Sequence, residues 1–352
     1  MSGGVDSSVA AALMTEQGYE CMGVTMRLHE EMADVDVRSG KTCCSLDDVE
    51  DARSVAFQLG IPFQVFNFKE DFEEKVIQRF ICAYENGTTP NPCIDCNRFL
   101  KFERLYERAK VLGYDTIVTG HYARVEQDPA TGRWLLKKGV DDKKDQSYVL
   151  YSLTQDQLAH TVLPLGGFTK PEIRVKAETL GFINAEKAES QDICFVPDGN
   201  YTAFIEKHTG KTYPEGEFVN KEGKVLGTHK GIIHYTVGQR RGLGIAAEES
   251  YYVLEKDTES NRVVLGFRNE LMTQDFDAKE MNWIAITEPA PGTTLRAMVR
   301  SRYHQNETEA EVTVLPDGNI RIHTLTPVRR PAKGQAAVLY DGDVVIGGGE
   351  IY

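Results

Sequence analysis

Seven residues near the start of the chain constrain it most: Ser2-Gly3-Gly4-Val5-Asp6-Ser7-Ser8 runs without a break into a helical pattern. Two glycines permit a tight turn and close backbone approach, the unpaired amides of a helix N-terminus favour an anion, and three serine hydroxyls supply donors. Together they read as a phosphate cradle. It is not the P-loop pattern, because the lysine that would reach the terminal phosphates is missing from it; Asp6 offers instead an oxygen for Mg²⁺. The plainer alternative is a glycine-rich turn with a Ser–Asp cap.

Beyond the loop, helix and strand patterns alternate. Val9, Ala12 and Leu13 fall at helical spacing between Ser7 and Gln17, Gly18 is the stop, and Cys21–Leu28 reads as a strand. A helix over Asp47–Leu59 and a strand over Phe63–Phe68 repeat the unit, helices are predicted over 71–84 and 98–112, and a short strand, Thr116–Val118, leads into Thr119-Gly120-His121. This alternation predicts an α/β fold, a parallel sheet with helices on both faces that binds ligands at the carboxyl ends of its strands. Beyond His208 helical patterns largely vanish. Pro316-Asp317-Gly318 and Asp341-Gly342 each separate two strand-like segments and read as hairpin turns, so a small β barrel or sandwich is expected. The chain of 352 residues allows two or three domains at roughly 150 residues each, and the boundaries fall at 1–199, 200–272 and 273–352.

Composition narrows the function. Apolar residues make up 41% and charged residues 26%, which excludes disordered and collagen-like classes. No run approaches about 18 apolar residues, and no basic-then-apolar leader is present, so the expectation is a cytoplasmic protein without membrane spans. The net charge of −13 disfavours bulk attraction to nucleic acid. Local clusters remain: Lys221, Lys224, Lys230, Arg240 and Arg241 face only Glu222 over that stretch. Seven cysteines without a secretion signal point to free thiols, a metal or redox chemistry rather than a disulfide scaffold. Cys21 and Cys82 read as packing residues, Cys43-Cys44 as a loop pair poorly spaced for one metal, and Cys93/Cys96 carry a Cys-x-x-Cys spacing used for metals and redox.

The opening loop resembles the PP-loop of N-type ATP pyrophosphatases, of the adenine nucleotide alpha hydrolase-like class. Further motifs narrow the resemblance: Asn91-Pro92-Cys93-Ile94-Asp95-Cys96-Asn97, Thr119-Gly120-His121-Tyr122-Ala123-Arg124, Asp145-Gln146-Ser147-Tyr148, Ser190-Gln191-Asp192-Ile193-Cys194-Phe195 and Gly238-Gln239-Arg240-Arg241-Gly242-Leu243-Gly244. In this order they are similar to the MnmA family of bacterial tRNA-specific 2-thiouridylases over essentially the whole chain. The resemblance implies a PP-loop domain, a small central domain and a C-terminal β-barrel. It implies an enzyme that adenylates O2 of the wobble uridine with ATP and Mg²⁺ and replaces it with sulfur from a cysteine persulfide, the sulfur arriving from a cysteine desulfurase or a relay protein. Ser2, Gly3, Gly4, Val5, Asp6, Ser7, Met26 and Gly120 would hold ATP. Cys194 would carry the persulfide and Cys96 resolve it through a disulfide. Asn91, Pro92, Cys93 and His121 would surround the target base, with Asp145, Gln146, Ser147, Arg302, Tyr303 and Gln335 on the tRNA.

Two departures stand out. Relatives carry a short apolar strand before the Gly-Gly motif; here only Met1 and Ser2 precede it, and the expectation is that the natural gene starts further upstream, since a missing central strand exposes its neighbours' edges. Some relatives carry at position 93 an Asp credited with acid/base work, for which Asp95 is the candidate stand-in. Cys93 opens an alternative in which Cys93, Cys96 and Cys194 hold three irons of a [4Fe–4S] cluster. Two other functions share the scaffold: an amide-forming ATP pyrophosphatase, which needs no paired cysteines, and a non-catalytic tRNA-binding protein.

Overall fold

The first helix, α1 (Val5–Glu16), starts two residues earlier than the periodicity predicts, because Gly4 in extended conformation is its N-cap. Its buried Val5, Val9, Ala10, Ala12 and Met14 explain why it forms. A fully buried valine such as Val9 contributes about 1.5–3 kcal/mol. The computed structural model describes residues 1–29, 46–187 and 193–352. Along the chain come β1 (Gly23–Arg27), α2 (Leu46–Gln58), β2 (Phe63–Asn67), α3 (Lys69–Phe72), a wide π-type turn Glu73–Ile77, and α4 (Gln78–Glu85). Then come α5 (Pro92–Asp95), further wide turns over Cys96–Arg104, α6 (Leu105–Val111), β3 (Ile117–Val118), β4 (Ala123–Gln127), β5 (Trp134–Lys138), α7 (Ser147–Leu150), α8 (Gln155–Ala159), β6 (Thr161–Val162), α9 (Lys170–Thr179) and α10 (Tyr201–Thr209).

These elements belong to two compact units: Met1–Ile77 with Pro92–Gly199 and Asp343–Val345, and Gln78–Asn91 with Asn200–Gly342 and Ile346–Tyr352. In the first, the parallel pairing expected of a βα fold is present, but as two separate pairs rather than one sheet. β1 pairs with β2 from Gly23↔Phe63 to Arg27↔Asn67, and β3 pairs with β6 at Ile117↔Thr161 and Val118↔Val162. Beside β1 lies Met1, whose ammonium donates to the Val24 carbonyl and whose carbonyl accepts from the Thr25 hydroxyl at 2.7 Å. The core behind the opening loop joins Val5, Val9 and Ala12 of α1 to Val55 of α2, Leu165, and Ile173 and Ala177 of α9. The antiparallel hairpin β4–β5 was not legible in the sequence.

The second unit holds a four-stranded sheet of β7 (Gly216–Val219), β8 (Val225–His229), β9 (Tyr252–Asp257) and β10 (Arg262–Gly266), ordered β8-β7-β10-β9. It also holds most of a β barrel built from β11 (Met272–Trp283), β12 (Thr294–Arg300), β13 (Thr308–Val314), β14 (Ile320–Arg329), β15 (Ala336–Asp341) and β16 (Val344–Ile351). Pairing of β11 with β16 as well as β14 closes the six strands into a ring, which removes free edges. Both predicted hairpin turns lie where expected, with Val314↔Ile320 flanking Pro316-Asp317-Gly318. The barrel fills with the inward residues of its strands, among them Val299, Ala310, Val312, Ile320, Ile322 and Leu339.

One packing expectation fails. Cys82 is exposed, because α4 turns Phe80, Ile81 and Tyr84 inward and leaves the thiol on the other face, where Asn86 Nδ2 donates to it at 3.3 Å. Cys21 is half-buried ahead of β1, and burial raises its pKa against the lowering pull of a hydrogen bond with Thr15. Cys43 and Cys44 lie outside the described residues.

Candidate nucleotide and sulfur-transfer site

At the opening loop Gly3 has φ +69°, and a Cβ on it would lie 2.4 Å from the Asp48 carbonyl oxygen, so only glycine lets the loop sit against α2. Asn184, 2% exposed, donates through Nδ2 to the Gly3 carbonyl and to Ser8 Oγ, both at 2.9 Å. Ser7 Oγ accepts from the Ser2 amide at 3.1 Å and donates to the Gly4 carbonyl at 3.0 Å. No side chain caps α1, so its first amides bring the positive end of the helix to the loop. Lys187 ties the neighbouring α2 in place, 2.7 Å from Asp48 and 2.5 Å from Asp51. Burial alone would lower the Lys187 pKa, but the two carboxylates outweigh it and raise the value.

The strand end carrying Gly120 reaches the same place. A Cβ on Gly120 would lie 2.8 Å from the Asp6 carbonyl carbon and 2.9 Å from the Ser7 nitrogen, a contact between backbones. The Asp6 side chain shares that contact through its Cβ, at 2.9 Å. Its Oδ1 and Oδ2 accept from Lys170 Nζ at 2.7 and 2.8 Å, and Oδ1 also accepts from the Tyr122 hydroxyl at 2.7 Å. The Lys170 side chain is 8% exposed and that of Asp6 31%. Lys170 is the first residue of α9, whose start is set by a Thr169–Glu172 capping box.

Tyr122 is itself held from behind. Its amide donates to Gln146 Oε1 and its carbonyl accepts from the Gln146 amide, both at 2.9 Å. Asp145 and Ser147 are buried: Asp145 Oδ1 accepts from the Gly139 and Ser147 amides and Oδ2 from Ser147 Oγ at 3.0 Å. These three residues therefore turn their polar groups into the fold. His121, also buried, has Nδ1 2.7 Å from Thr119 Oγ1. Burial first, and then the charge of Lys101, hold its pKa well below the usual 6.5, so the imidazole is neutral.

Among the sulfur candidates, Cys93 is exposed on α5, while Cys96 and Cys194 are half-buried. Pro92 is buried and Asp95 half-buried. Phe195, next to Cys194, packs edge-on against Phe72 at 5.6 Å, and α3, which carries Phe72, packs on the Cys96–Arg104 segment. Among the described residues no three His, Cys, Asp or Glu side chains are placed to hold a single metal ion. Met26 is half-buried on β1; Ser190, Gln191 and Asp192 lie outside the described residues.

The remaining candidates belong to the second unit. Arg302 donates at 3.4 Å to the Val237 carbonyl and lies against Gly238; Tyr303 packs on His304 at 4.5 Å; Gln335 Nε2 donates to the Thr89 carbonyl at 2.7 Å. Asn91 is half-buried, and Lys224, Lys230, Arg240 and Arg241 are exposed. Lys170, Asn184 and Lys187 escaped the sequence reading, and Tyr122 entered it only as part of a motif, without a role. Only the Thr169-Lys170-Pro171-Glu172 pattern gave a local signal, marking a helix start without revealing what that start would face.

Comparison with known proteins covers the whole chain. Residues 1–198 match a family described as the tRNA methyl transferase HUP domain, 202–267 the tRNA methyl transferase PRC-barrel domain, and 273–351 the aminomethyltransferase beta-barrel domain. Over 351 residues the chain is 49% identical to the tRNA-specific 2-thiouridylase MnmA of Acetivibrio thermocellus, covering 100% of this chain and 97% of the relative. It is 47% identical to the protein of the same name from Clostridioides difficile, over 100% and 96%, and 50% identical to that of Geotalea uraniireducens, over 100% and 93%.

Proposed function

The chain belongs to the tRNA-specific 2-thiouridylase MnmA family, and from that premise we propose that it is a tRNA-uridine 2-sulfurtransferase acting on the wobble uridine. A carbonyl oxygen is a poor leaving group. In the proposed reaction O2 attacks the α-phosphorus of ATP, pyrophosphate departs with the electron pair of the broken P–O bond, and the oxygen becomes part of AMP. The terminal sulfur of a persulfide on Cys194 then adds to C2 and AMP leaves. The Cys96 thiolate attacks the Cys194 sulfur, freeing 2-thiouridine and leaving a Cys96–Cys194 disulfide for an external thiol to reduce.

The observation that carries this reading is the opening loop, where uncapped amides and the glycine contacts at 3 and 120 form a cradle suited to phosphate. Ser2, Gly3, Gly4, Val5, Asp6 and Ser7 would bind ATP, with Met26 beside the nucleotide. Asn91, Pro92, Cys93 and His121 would surround the uridine, and Arg302, Tyr303 and Gln335 would contact tRNA. The neutral imidazole of His121 suits hydrogen bonding to a base rather than charge pairing. The burial of Asp145 and Ser147 favours a positioning role for their segment, through Gln146 and Tyr122, over direct contact with RNA.

Asp6 is the loop's one carboxylate, and Lys170 holds both of its oxygens, so the residues present do not by themselves make a Mg²⁺ site. The division at 199/200 and 272/273, a cytoplasmic setting and a cysteine desulfurase or relay protein as sulfur donor complete the proposal. Among the described residues no helix is long and apolar enough to cross a membrane. Methyl transfer, which two of the matched family descriptions mention, fits the phosphate cradle less well. The test is pyrophosphate release from ATP by the purified protein: it should depend on tRNA bearing an unmodified wobble uridine, and release indifferent to tRNA would reject the reading.

A further inference from the structure

Asn97 follows Cys96 directly and is 1% exposed, on a segment whose other buried residues, Leu100 and Phe102, are apolar. Its Nδ2 donates to the Val149 carbonyl of α7 at 3.0 Å, while its Oδ1 is buried without a hydrogen-bond partner among the described residues. A buried acceptor left unsatisfied lowers stability, so packing alone favours an apolar side chain of similar size at this position. What the asparagine adds is a directional tie between the residue next to Cys96 and α7. That helix is a firm support, because all four of its residues are buried. Just ahead of it Gln146 grips Tyr122 through its amide and its side chain, and the Tyr122 hydroxyl donates to Asp6 of the opening loop. We propose that Asn97 is a positioning residue for sulfur transfer: by tying the Cys96 segment to α7, it sets where the Cys96 thiolate stands, relative to the ATP loop, when it attacks the Cys194 sulfur.

The proposal rests on the reading of Cys96 as the resolving thiol and goes beyond it by naming the group that places that thiol. The alternative is that Asn97 only helps the unit to fold, and the two differ in consequence. The opening loop has supports of its own, Asn184 on Gly3 and Lys170 on Asp6, so loss of the Asn97 tie falls on the Cys96 side and leaves adenylation in place. A general loss of fold weakens ATP binding, adenylation and sulfur transfer together. Misplacing a reacting group by roughly 1 Å is enough to slow its own step about 100-fold.

Single-turnover measurements on the full chain decide between them, using wild type, N97L, N97A and N97S with ATP, tRNA bearing an unmodified wobble uridine, and a cysteine desulfurase with cysteine as the sulfur supply. Pyrophosphate release, 2-thiouridine and the Cys96–Cys194 disulfide are followed in the same reactions. N97L keeps the size of the side chain and removes both the donor and the orphaned acceptor; it should release pyrophosphate near the wild-type rate while 2-thiouridine and the disulfide form about 10- to 100-fold more slowly. N97A leaves a cavity instead of a bulkier apolar group, so it remains informative if N97L fails to fold, and it should show the same split. The N97S hydroxyl can donate to the Val149 carbonyl directly or through a water, and should recover part of the lost rate. Parallel losses of pyrophosphate release and thiolation, wild-type thiolation in N97L or N97A, or an N97S no faster than N97A overturns the role of Asn97. A wild-type protein that releases no pyrophosphate and makes no 2-thiouridine overturns the proposed function instead.

Discussion

Gly120→Ala tests the meeting of strand end and loop with a single methyl group. The added Cβ would lie 2.8 Å from the Asp6 carbonyl carbon, 2.9 Å from Asp6 Cβ and 2.9 Å from the Ser7 nitrogen. Two of these three atoms are backbone at the first turn of α1, so they cannot swing aside as the tip of a long side chain would. Overpacking of this kind costs about 1–3 kcal/mol. If the cost falls on the loop, ATP affinity drops about 5- to 150-fold. Two nearby glycines are controls. At Gly167 nothing lies within 4 Å of an added Cβ, so Gly167→Ala should change neither stability nor ATP binding by more than a few tenths of a kcal/mol. At Gly166 an added Cβ would lie 1.9 Å from the Ala123 carbonyl oxygen, so Gly166→Ala should destabilise the unit while its folded fraction still binds ATP. Urea denaturation and calorimetry on the three variants give both quantities. Wild-type ATP binding and stability in Gly120→Ala would refute the claim that this contact shapes the site.

Three further outcomes rest on the same geometry. Asn184→Ala removes two buried hydrogen bonds to Gly3 and Ser8 and should cost about 1–3 kcal/mol, read by urea denaturation, with a parallel loss of ATP affinity. Cys194→Ser should form adenylated tRNA but no 2-thiouridine, as liquid chromatography of the tRNA would reveal; thiolation by that variant would remove Cys194 as sulfur carrier. Burial depresses the His121 pKa below 6.5, so the unfolded chain takes up a proton that the fold refuses: the stability this histidine supplies is complete above about pH 6.5 and declines as pH falls below it. Since His229 of the second unit is shifted in the same direction, chiefly by burial, the readout is the stability of wild type relative to His121→Gln, which should fall between pH 7 and pH 5.

Local patterns in the sequence located α1, α2 and β2 to within a residue or two, and both barrel hairpins, because helical spacing, a glycine stop and a Pro-Asp-Gly turn act over a few residues. The wide turns at Glu73–Ile77 and Cys96–Arg104 were not legible, since no residue type marks them. The exposure of Cys82 depended on which face α4 presents to its neighbours, which composition leaves open. The sequence reads the loop as an anion site, yet the partner of its carboxylate, Lys170, is 164 residues away, and that of its Gly3 carbonyl, Asn184, is 181 residues away. Long-range partners of that kind carry no local signature. The segment Asp145-Gln146-Ser147 illustrates the same limit, because polar side chains that look available in sequence are satisfied within the fold.

The central claim is tested most directly by nucleoside analysis of tRNA from bacterial cells deleted for their own 2-thiouridylase gene and supplied with this one. The account predicts that 2-thiouridine derivatives at the wobble position, absent from the deletion strain, return with the wild-type gene and fail to return with Cys194→Ser. Wobble uridines that stay unthiolated while folded wild-type protein accumulates would contradict it.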